Sequence, residues 1–142
     1  MLKIIIYEDS QYDLSSRYEH LPKDHDVHVR FKKRQSMAPG AFKEMSKDCF
    51  KHSGFDLEKL GFVLDLKKEV PDSADLYFVD GLSDYCWDLL PNLPKEKTVV
   101  YSMSERTCEQ AIRKGYRAIL KRRGNGAREA LDRIVLDTIE DK

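Results

Sequence analysis

The sequence has few of the features that mark a secreted, membrane-spanning or thiolate-metal protein. It contains three cysteines, Cys49, Cys86 and Cys108, an odd number without a CxxC pair, so neither a disulfide framework nor a thiolate zinc site is predicted. No apolar run approaches the roughly 20 residues of a membrane span. The first segment, MLKIIIYEDS, lacks the length and cleavage site of a signal peptide. We therefore expect a cytoplasmic protein without a membrane partner.

The sequence also lacks an excess of charge of one sign. Its 25 lysines and arginines balance its 25 aspartates and glutamates, so no overall field favours nucleic acid. The basic runs at 32–34 and 121–123 have no interleaved aromatic residues, and we do not predict a nucleic-acid site there. A length of 142 residues fits one domain, and we treat residues 1–142 as a single unit.

Five short apolar segments alternate with helical patterns. The predicted strands are Lys3–Tyr7, Asp26–Phe31, Asp75–Val79, Thr98–Ser102 and Tyr116–Leu120. The first, KIIIY, is a continuous apolar run, which is typical of a strand covered on both faces. Strands that alternate with helices favour a parallel sheet between helical layers. We predict an α/β fold: a single-domain, doubly wound, five-stranded parallel sheet with helices on both faces.

Local signals place the helices. Ser10 and Ser104 are expected to begin helices as N-cap residues, and Gly115 to end the second of these. A last amphipathic helix follows the fifth strand. Its apolar face is expected to contain Ala127, Leu131, Ile134 and Thr138.

An insertion of roughly residues 34–70 separates strands two and three. We expect an extra helical segment there, with one helix in PGAFKEMSKDCF, started by Pro39, and a second in FDLEKLGFVLDLKKEV, which Gly61 weakens. The apolar residues at helical spacing in the second are Leu57, Leu60, Val63 and Leu64.

Polar residues follow four of the predicted strands. They are Glu8 and Asp9 after strand one, Asp80 after strand three, Ser102 ending strand four and Lys121 after strand five. Each alone has an ordinary explanation, as a helix cap or a solvated charge. Because the carboxyl ends of parallel strands meet at one edge, their joint occurrence favours a functional site there.

This order of strand ends resembles the receiver domains of bacterial two-component response regulators. Those domains have an apolar strand ending in two acids, a strand ending in the phosphate-accepting aspartate, a strand ending in Thr or Ser, and a strand ending in lysine. Here IIIYED, DLYFVD, TVVYS and KGYRAILK occupy those places. The resemblance covers most of the chain except the long link before strand three.

The resemblance implies that Asp80 accepts a phosphoryl group while Ser102 and Lys121 contact its oxygens. The implied Mg²⁺ ligands are Glu8, Asp9, Asp80 and the backbone carbonyl of Leu82. The residue types suit this chemistry independently, since a carboxylate can act as a nucleophile toward phosphorus and clustered acids hold a hard cation. A lysine and a hydroxyl supply the electrostatic stabilisation that phosphoryl transfer needs.

Two departures from the family pattern leave alternatives open. Receivers carry an aromatic residue three positions before the lysine, where this sequence has Ala118, so Tyr101 or Tyr116 is left for that role. The usual proline after the lysine is absent and the distance from the glycine is one residue shorter, so Arg122 competes with Lys121.

Three functions remain open at this point. The first is a phosphoacceptor whose partners are a sensor histidine kinase and a downstream protein, with homodimerisation also open. The second is a pseudo-receiver, a protein-binding module without phosphorylation. The third is a metal-dependent phosphohydrolase or nuclease, although no DxD ends strand one or three. We expect a phosphoacceptor or a binding module rather than a turnover enzyme.

Overall fold

The computed structural model describes residues 1–8, 10–30, 57–64, 73–81, 86–122 and 126–142. Its strands and α-helices, in chain order, are β1 Lys3–Tyr7, α1 Gln11–Arg17, β2 Asp26–Arg30, β3 Val63–Leu64, β4 Leu76–Val79, α2 Cys86–Leu89, β5 Thr98–Ser102, α3 Glu105–Arg113, β6 Arg117–Leu120 and α4 Gly126–Glu140. Short 3-10 turns occupy Leu21–Lys23, Leu90–Asn92 and Lys95–Lys97. Within these ranges no helix combines the length and the apolar character needed to cross a membrane.

The strands form one parallel sheet in the order β3-β2-β1-β4-β5-β6. β1 pairs with β2 on one side and with β4 on the other. The chain therefore leaves β1 in one direction and later returns to its opposite side. Loops diverge at such a reversal and leave a crevice at the carboxyl ends of the two strands. Glu8 and Asp80 directly follow β1 and β4.

The α/β class and the parallel sheet agree with the sequence analysis. All five predicted strands are present, with bounds that differ by at most one residue at either end. The count of five is wrong for the described part of the chain, because β3 adds a sixth strand at the edge. β3 is two residues long and pairs His28 with Val63 and Val29 with Leu64.

The helix predicted over FDLEKLGFVLDLKKEV is also wrong where the structure describes it. Residues 57–61 form a turn that ends at Gly61, whose φ of 102° is unfavourable for other residues. The Phe62 amide donates to the Leu57 carbonyl at 3.1 Å, which closes the turn before β3. Of the residues at helical spacing, Leu57 is buried but Leu60 and Val63 are exposed, so the spacing did not mark one buried helix face. The helix predicted in PGAFKEMSKDCF, and most of the 34–70 insertion, lie outside the described residues.

Apolar side chains cover both faces of the sheet, since successive residues of a strand point to opposite sides. Ile4 and Ile6 of β1 lie in one core cluster, and Ile5 and Tyr7 lie in the other. The first cluster includes residues of α1 and α4, and the second includes residues of α2 and α3. This explains why β1 reads as an unbroken apolar run.

The predicted N-caps Ser10 and Ser104 and the helix end at Gly115 are confirmed. The hydroxyls of Ser10 and Ser104 accept from the amides of Asp13 and Thr107, both at 3.2 Å, at the starts of α1 and α3. Gly115 has a φ of 89° after α3. On the expected face of α4 the buried residues are Ala127 and Leu131, joined by Val135, whereas Ile134 and Thr138 are half-buried.

Candidate functional site

The carboxyl ends of the central strands bring three carboxylates around one lysine. Lys121 Nζ lies 2.8 Å from Asp80 Oδ1 and 2.9 Å from Asp13 Oδ2, and it also donates a short hydrogen bond to Glu8 Oε1. The Lys121 and Glu8 side chains are each only 1% exposed. We call Glu8, Asp13, Asp80 and Lys121 the acidic site.

Backbone hydrogen bonds beyond the strand ends hold these residues in place. The Asp80 amide donates to the Tyr7 carbonyl at 3.0 Å, and the Lys121 amide donates to the Ser102 carbonyl at 2.8 Å. Each bond continues the ladder by one residue past the strand. The side chains of Asp80 and Lys121 are therefore fixed at the edge of the sheet, where they reach the acidic site.

Asp13 was absent from the residues predicted for this site. It lies in the first turn of α1, and its second oxygen, Oδ1, accepts from Arg17 Nε at 3.1 Å. Acidic residues are common in the first turn of a helix because their charge interacts favourably with the helix dipole. The presence of an aspartate at position 13 therefore does not by itself indicate a functional site. The only available indication was its closeness in sequence to Glu8, across a short connection to α1.

Burial and neighbouring charges set the pKa values in the acidic site. Burial raises the pKa of Glu8 well above its ordinary value of 4.5, and Lys121 offsets this only in part because Asp80 and Asp13 add negative charge. Burial also acts to raise the pKa of Asp13, but the charge and hydrogen bond of Lys121 outweigh it and the net pKa is lowered. Burial acts to lower the pKa of Lys121, and Glu8 and Asp80 reverse this so that it is raised. Lys121 is therefore charged at neutral pH, and the raised pKa of Glu8 favours its protonated form more than the lowered pKa of Asp13 does.

Ser102 lies beside the residue that follows Asp80. A Cβ built on Gly81 would be 2.9 Å from Ser102 Oγ and 3.6 Å from Thr107 Cγ2. Ser102 is buried, and its hydroxyl accepts from the Ser104 amide at 3.1 Å. The absence of a side chain at Gly81 thus lets the Ser102 hydroxyl pack against the chain next to Asp80.

We expect Gly81→Ala to destabilise the protein by about 1–3 kcal/mol, because the new methyl group overlaps the Ser102 hydroxyl. Urea unfolding would measure this, and Gly81→Ala combined with Ser102→Ala should recover part of the loss by removing the hydroxyl. Gly126→Ala is the matched control, since nothing lies within 4 Å of a Cβ there. Equal stabilities of the Gly81→Ala and Gly126→Ala variants would contradict the close approach.

The structure distinguishes two pairs of alternatives left by the sequence. Lys121 is buried in the acidic site, whereas Arg122 is exposed. The ring of Tyr101 lies 5.5 Å from Lys121 Nζ. Tyr116 instead donates its hydroxyl to the Leu90 carbonyl at 3.4 Å. Of the two tyrosines, Tyr101 is therefore the one that contacts the acidic site.

Two of the predicted metal ligands, Asp9 and Leu82, lie outside the described residues. The donors that are described, carboxylates of Glu8 and Asp80, are of the type that Mg²⁺ prefers. They converge on the Lys121 ammonium, and in the described ranges no group of three His, Cys, Asp or Glu side chains is arranged to hold a metal ion.

The acidic site contains a partly exposed carboxylate, Asp80, and a buried ammonium, Lys121, and the hydroxyl of Ser102 lies nearby. The Asp80 side chain is 18% exposed, in contrast to the enclosed Glu8 and Lys121. Such a set can stabilise negative charge that develops on a group attached to Asp80.

Comparisons with protein-family models, with curated proteins and with solved structures found no match.

Proposed function

We propose that this protein is a receiver-type signalling module that accepts a phosphoryl group on Asp80. The observation that carries the proposal is the contact of Asp80 with Lys121, with 2.8 Å between Oδ1 and Nζ. This contact lies at the carboxyl ends of the strands, where the strand order of the parallel sheet reverses direction. Asp80 is partly exposed, so a phosphodonor can reach it, while the lysine that would neutralise a phosphoryl oxygen is already in place.

The proposed reaction is a transfer from phosphohistidine or a small acyl phosphate. A carboxylate oxygen of Asp80 attacks phosphorus, the bond from phosphorus to the donor nitrogen or oxygen breaks, and the leaving group keeps that electron pair; a histidine leaving group takes a proton from water, whereas the carboxylate from an acyl phosphate leaves as the anion. Lys121 stabilises the developing charge, and Ser102 donates a hydrogen bond to a phosphoryl oxygen. Bound Mg²⁺ would neutralise the remaining charge; Glu8 and Asp80 would hold it, with Asp9 and the Leu82 carbonyl as further proposed ligands.

The order of the strands supports a receiver-like fold within the α/β class. Without the edge strand β3, the remaining order is β2-β1-β4-β5-β6, which is the order of doubly wound flavodoxin-like sheets. We propose that these five strands form the receiver-like domain and that β3 is an addition from the insertion. Proteins of many functions share this order, so the chemistry of the acidic site carries the proposal.

The proposed partners are a sensor histidine kinase and a downstream protein, with a homodimer as a further proposal. Exposed apolar side chains on α3 and α4 support a protein partner. Ile112 of α3 is 61% exposed, and Leu136 and Ile139 of α4 are 49% and 43% exposed. The basic runs at 32–34 and 121–123 contain no interleaved aromatic residue, so nucleic acid is not among the proposed partners, and we propose a cytoplasmic location.

A second function, a pseudo-receiver that binds proteins without phosphorylation, is favoured by one observation. Lys121 contacts all three carboxylates of the acidic site, so it balances part of their charge without a metal ion. Charges balanced in this way can stabilise the fold without taking part in a reaction. The two proposals differ in whether Asp80 reacts.

Labelling with acetyl phosphate tests the proposal. With Mg²⁺ present, we expect the intact protein to gain the mass of one phosphoryl group, and Asp80→Asn to abolish the gain. Asp88→Asn is the matched control, because Asp88 is an exposed aspartate in α2, away from the acidic site. Absence of the gain in the unmodified protein would leave the pseudo-receiver as the better proposal, and steady release of phosphate that requires Asp80 would instead favour a phosphohydrolase.

A further inference from the structure

We infer that Asp13 is a positioning residue of the acidic site: it shares Lys121 with Asp80 and thereby couples helix α1 to the chemical state of Asp80. The second half of this inference rests on the proposed function, since it concerns phosphorylated Asp80. The first half concerns only contacts of the unphosphorylated protein. The two halves can be tested separately.

Asp13 divides its carboxylate between two cations. Its Oδ2 contacts Lys121 at 2.9 Å, and its Oδ1 accepts from Arg17 Nε at 3.1 Å, four residues further along α1. The Asp13 side chain is 12% exposed and that of Lys121 is 1% exposed, so water screens their attraction only weakly. Asp13 is therefore the link through which a change at Lys121 reaches Arg17.

The ring of Tyr101 joins the same two cations. Arg17 Cζ lies 6.0 Å and Lys121 Nζ 5.5 Å from its centroid, distances at which a cation is attracted to an aromatic ring. The ring also meets Tyr18 edge to face, with centroids 5.6 Å apart. Because Tyr101 directly precedes Ser102, a shift of either cation acts on the strand end that carries the serine.

Phosphorylation of Asp80 would redistribute these contacts. A phosphoryl group adds negative charge and strong acceptor oxygens within reach of Lys121. The added phosphoryl oxygens compete with Asp13 for the Lys121 ammonium, so we expect the contact between Lys121 and Asp13, now 2.9 Å, to weaken and lengthen. Asp13 is left with Arg17, and we expect Arg17 to move relative to the Tyr101 ring.

The end of α1 is tied to α4, which gives the change a route to the surface. His20 Nε2 lies 2.6 Å from Asp132 Oδ1, and Arg128 donates to Glu19 at 2.6 Å. Both contacts join the residues just after α1 to the last helix. A displacement of α1 is therefore transmitted to the face that carries the exposed Leu136.

The first experiment needs no phosphorylation. In an NMR spectrum of Asp80→Asn, we expect shifts of the Arg17 Nε–H signal and the Tyr101 ring signals, because Lys121 is drawn toward Asp13. Asp88→Asn, which alters an exposed aspartate, should leave both signals unchanged. If Asp80→Asn also leaves them unchanged, the inference is overturned whether or not Asp80 is ever phosphorylated.

The second experiment adds beryllofluoride and Mg²⁺ to mimic the phosphoryl group. We expect shifts at Asp80, Arg17 and Tyr101 in the unmodified protein. In Asp13→Asn the Asp80 shift should remain while that of Arg17 is lost, and Asp13→Glu should restore the Arg17 shift; the Tyr101 ring, which Lys121 contacts directly, should still respond. Asp137→Asn is the matched control, because it removes an exposed pair with Arg133 at the same four-residue spacing.

The outcomes separate the inference from the proposed function. Shifts at Asp80 without shifts at Arg17 and Tyr101 would keep the proposed function and overturn the coupling. No shift at Asp80 would count against the proposed function and against the phosphorylation-dependent half of the inference, while the Asp80→Asn spectrum would still decide the first half. If Asp13→Asn fails to fold, that spectrum decides the first half in the same way.

Discussion

Lys121→Met is expected to destabilise the protein by about 3–5 kcal/mol at neutral pH, because removing one partner from a buried set of charges leaves the others uncompensated. Lys121 is the only cation among the described residues with a contact to all three carboxylates of the acidic site. Methionine fills similar space, so the loss would come from charge rather than from a cavity. Urea unfolding monitored by circular dichroism would measure it.

The loss should shrink as the pH falls. Burial already raises the pKa of Glu8, and without Lys121 the pKa of Glu8 would rise further and that of Asp13 would no longer be lowered. The folded variant then binds more protons than the unfolded chain, so its stability improves as the pH falls from neutral through the raised pKa of Glu8. The unmodified protein keeps the stabilisation from Lys121 until the pH rises above the ordinary lysine pKa of 10.5.

Lys114→Met is the matched control for this prediction. Lys114 is exposed and its ammonium lies 4.2 Å from the centroid of the Trp87 ring, a contact worth about 0.5–1 kcal/mol at an exposed site. Its effect should not depend on pH in the acid range. A Lys121→Met variant no less stable than Lys114→Met, or one that loses further stability on acidification, would contradict the arrangement of charges described above.

Phe78→Ala is expected to cost about 3–5 kcal/mol, since a large side chain is removed from a close-packed interior. Phe78 is completely buried in β4, in the core cluster that contains residues of α1 and α4. Its ring lies 5.8 Å from that of Tyr18. The truncation leaves a cavity between the sheet and α1 that neighbouring side chains cannot fill fully.

Two further variants serve as references for the size of the stability loss in Phe78→Ala. Phe78→Leu keeps most of the volume and should cost less than about 1.5 kcal/mol. Tyr12→Ala removes an aromatic ring that is 70% exposed and should change stability by no more than about 0.5 kcal/mol. Equal effects of Phe78→Ala and Tyr12→Ala on the urea midpoint would show that Phe78 does not support the core.

The Phe78 variants also separate folding from chemistry. Phe78 lies two residues before Asp80, and its replacement leaves every charge of the acidic site in place. Under the proposed function, Phe78→Leu should therefore label with acetyl phosphate to the same extent as the unmodified protein at temperatures where both are folded. Lys121→Met should lose stability, because a buried charge loses its partner, and under the proposed function it should also lose labelling.

The amino-acid sequence by itself determined five of the six described strands, the starts of α1 and α3 and the parallel class of the sheet. Each depends on neighbours in sequence: the unbroken apolar run of β1, the serine caps of α1 and α3, and the glycine after α3. Apolar burial and capping act over a few residues, so their signals are local. The sequence also placed four polar residues at strand ends: Glu8, Asp80, Ser102 and Lys121.

Only the tertiary structure decided which of these groups meet. The contacts of Lys121 span 113 residues to Glu8, 108 to Asp13 and 41 to Asp80, and no local pattern encodes them. The edge strand β3 was mistaken for part of a helix for the same reason, because its pairing partner, β2, is distant in sequence. Charges find partners through space, in the order that the sheet imposes, and it is the fold that makes Asp13 a member of the acidic site and leaves Arg122 at the surface.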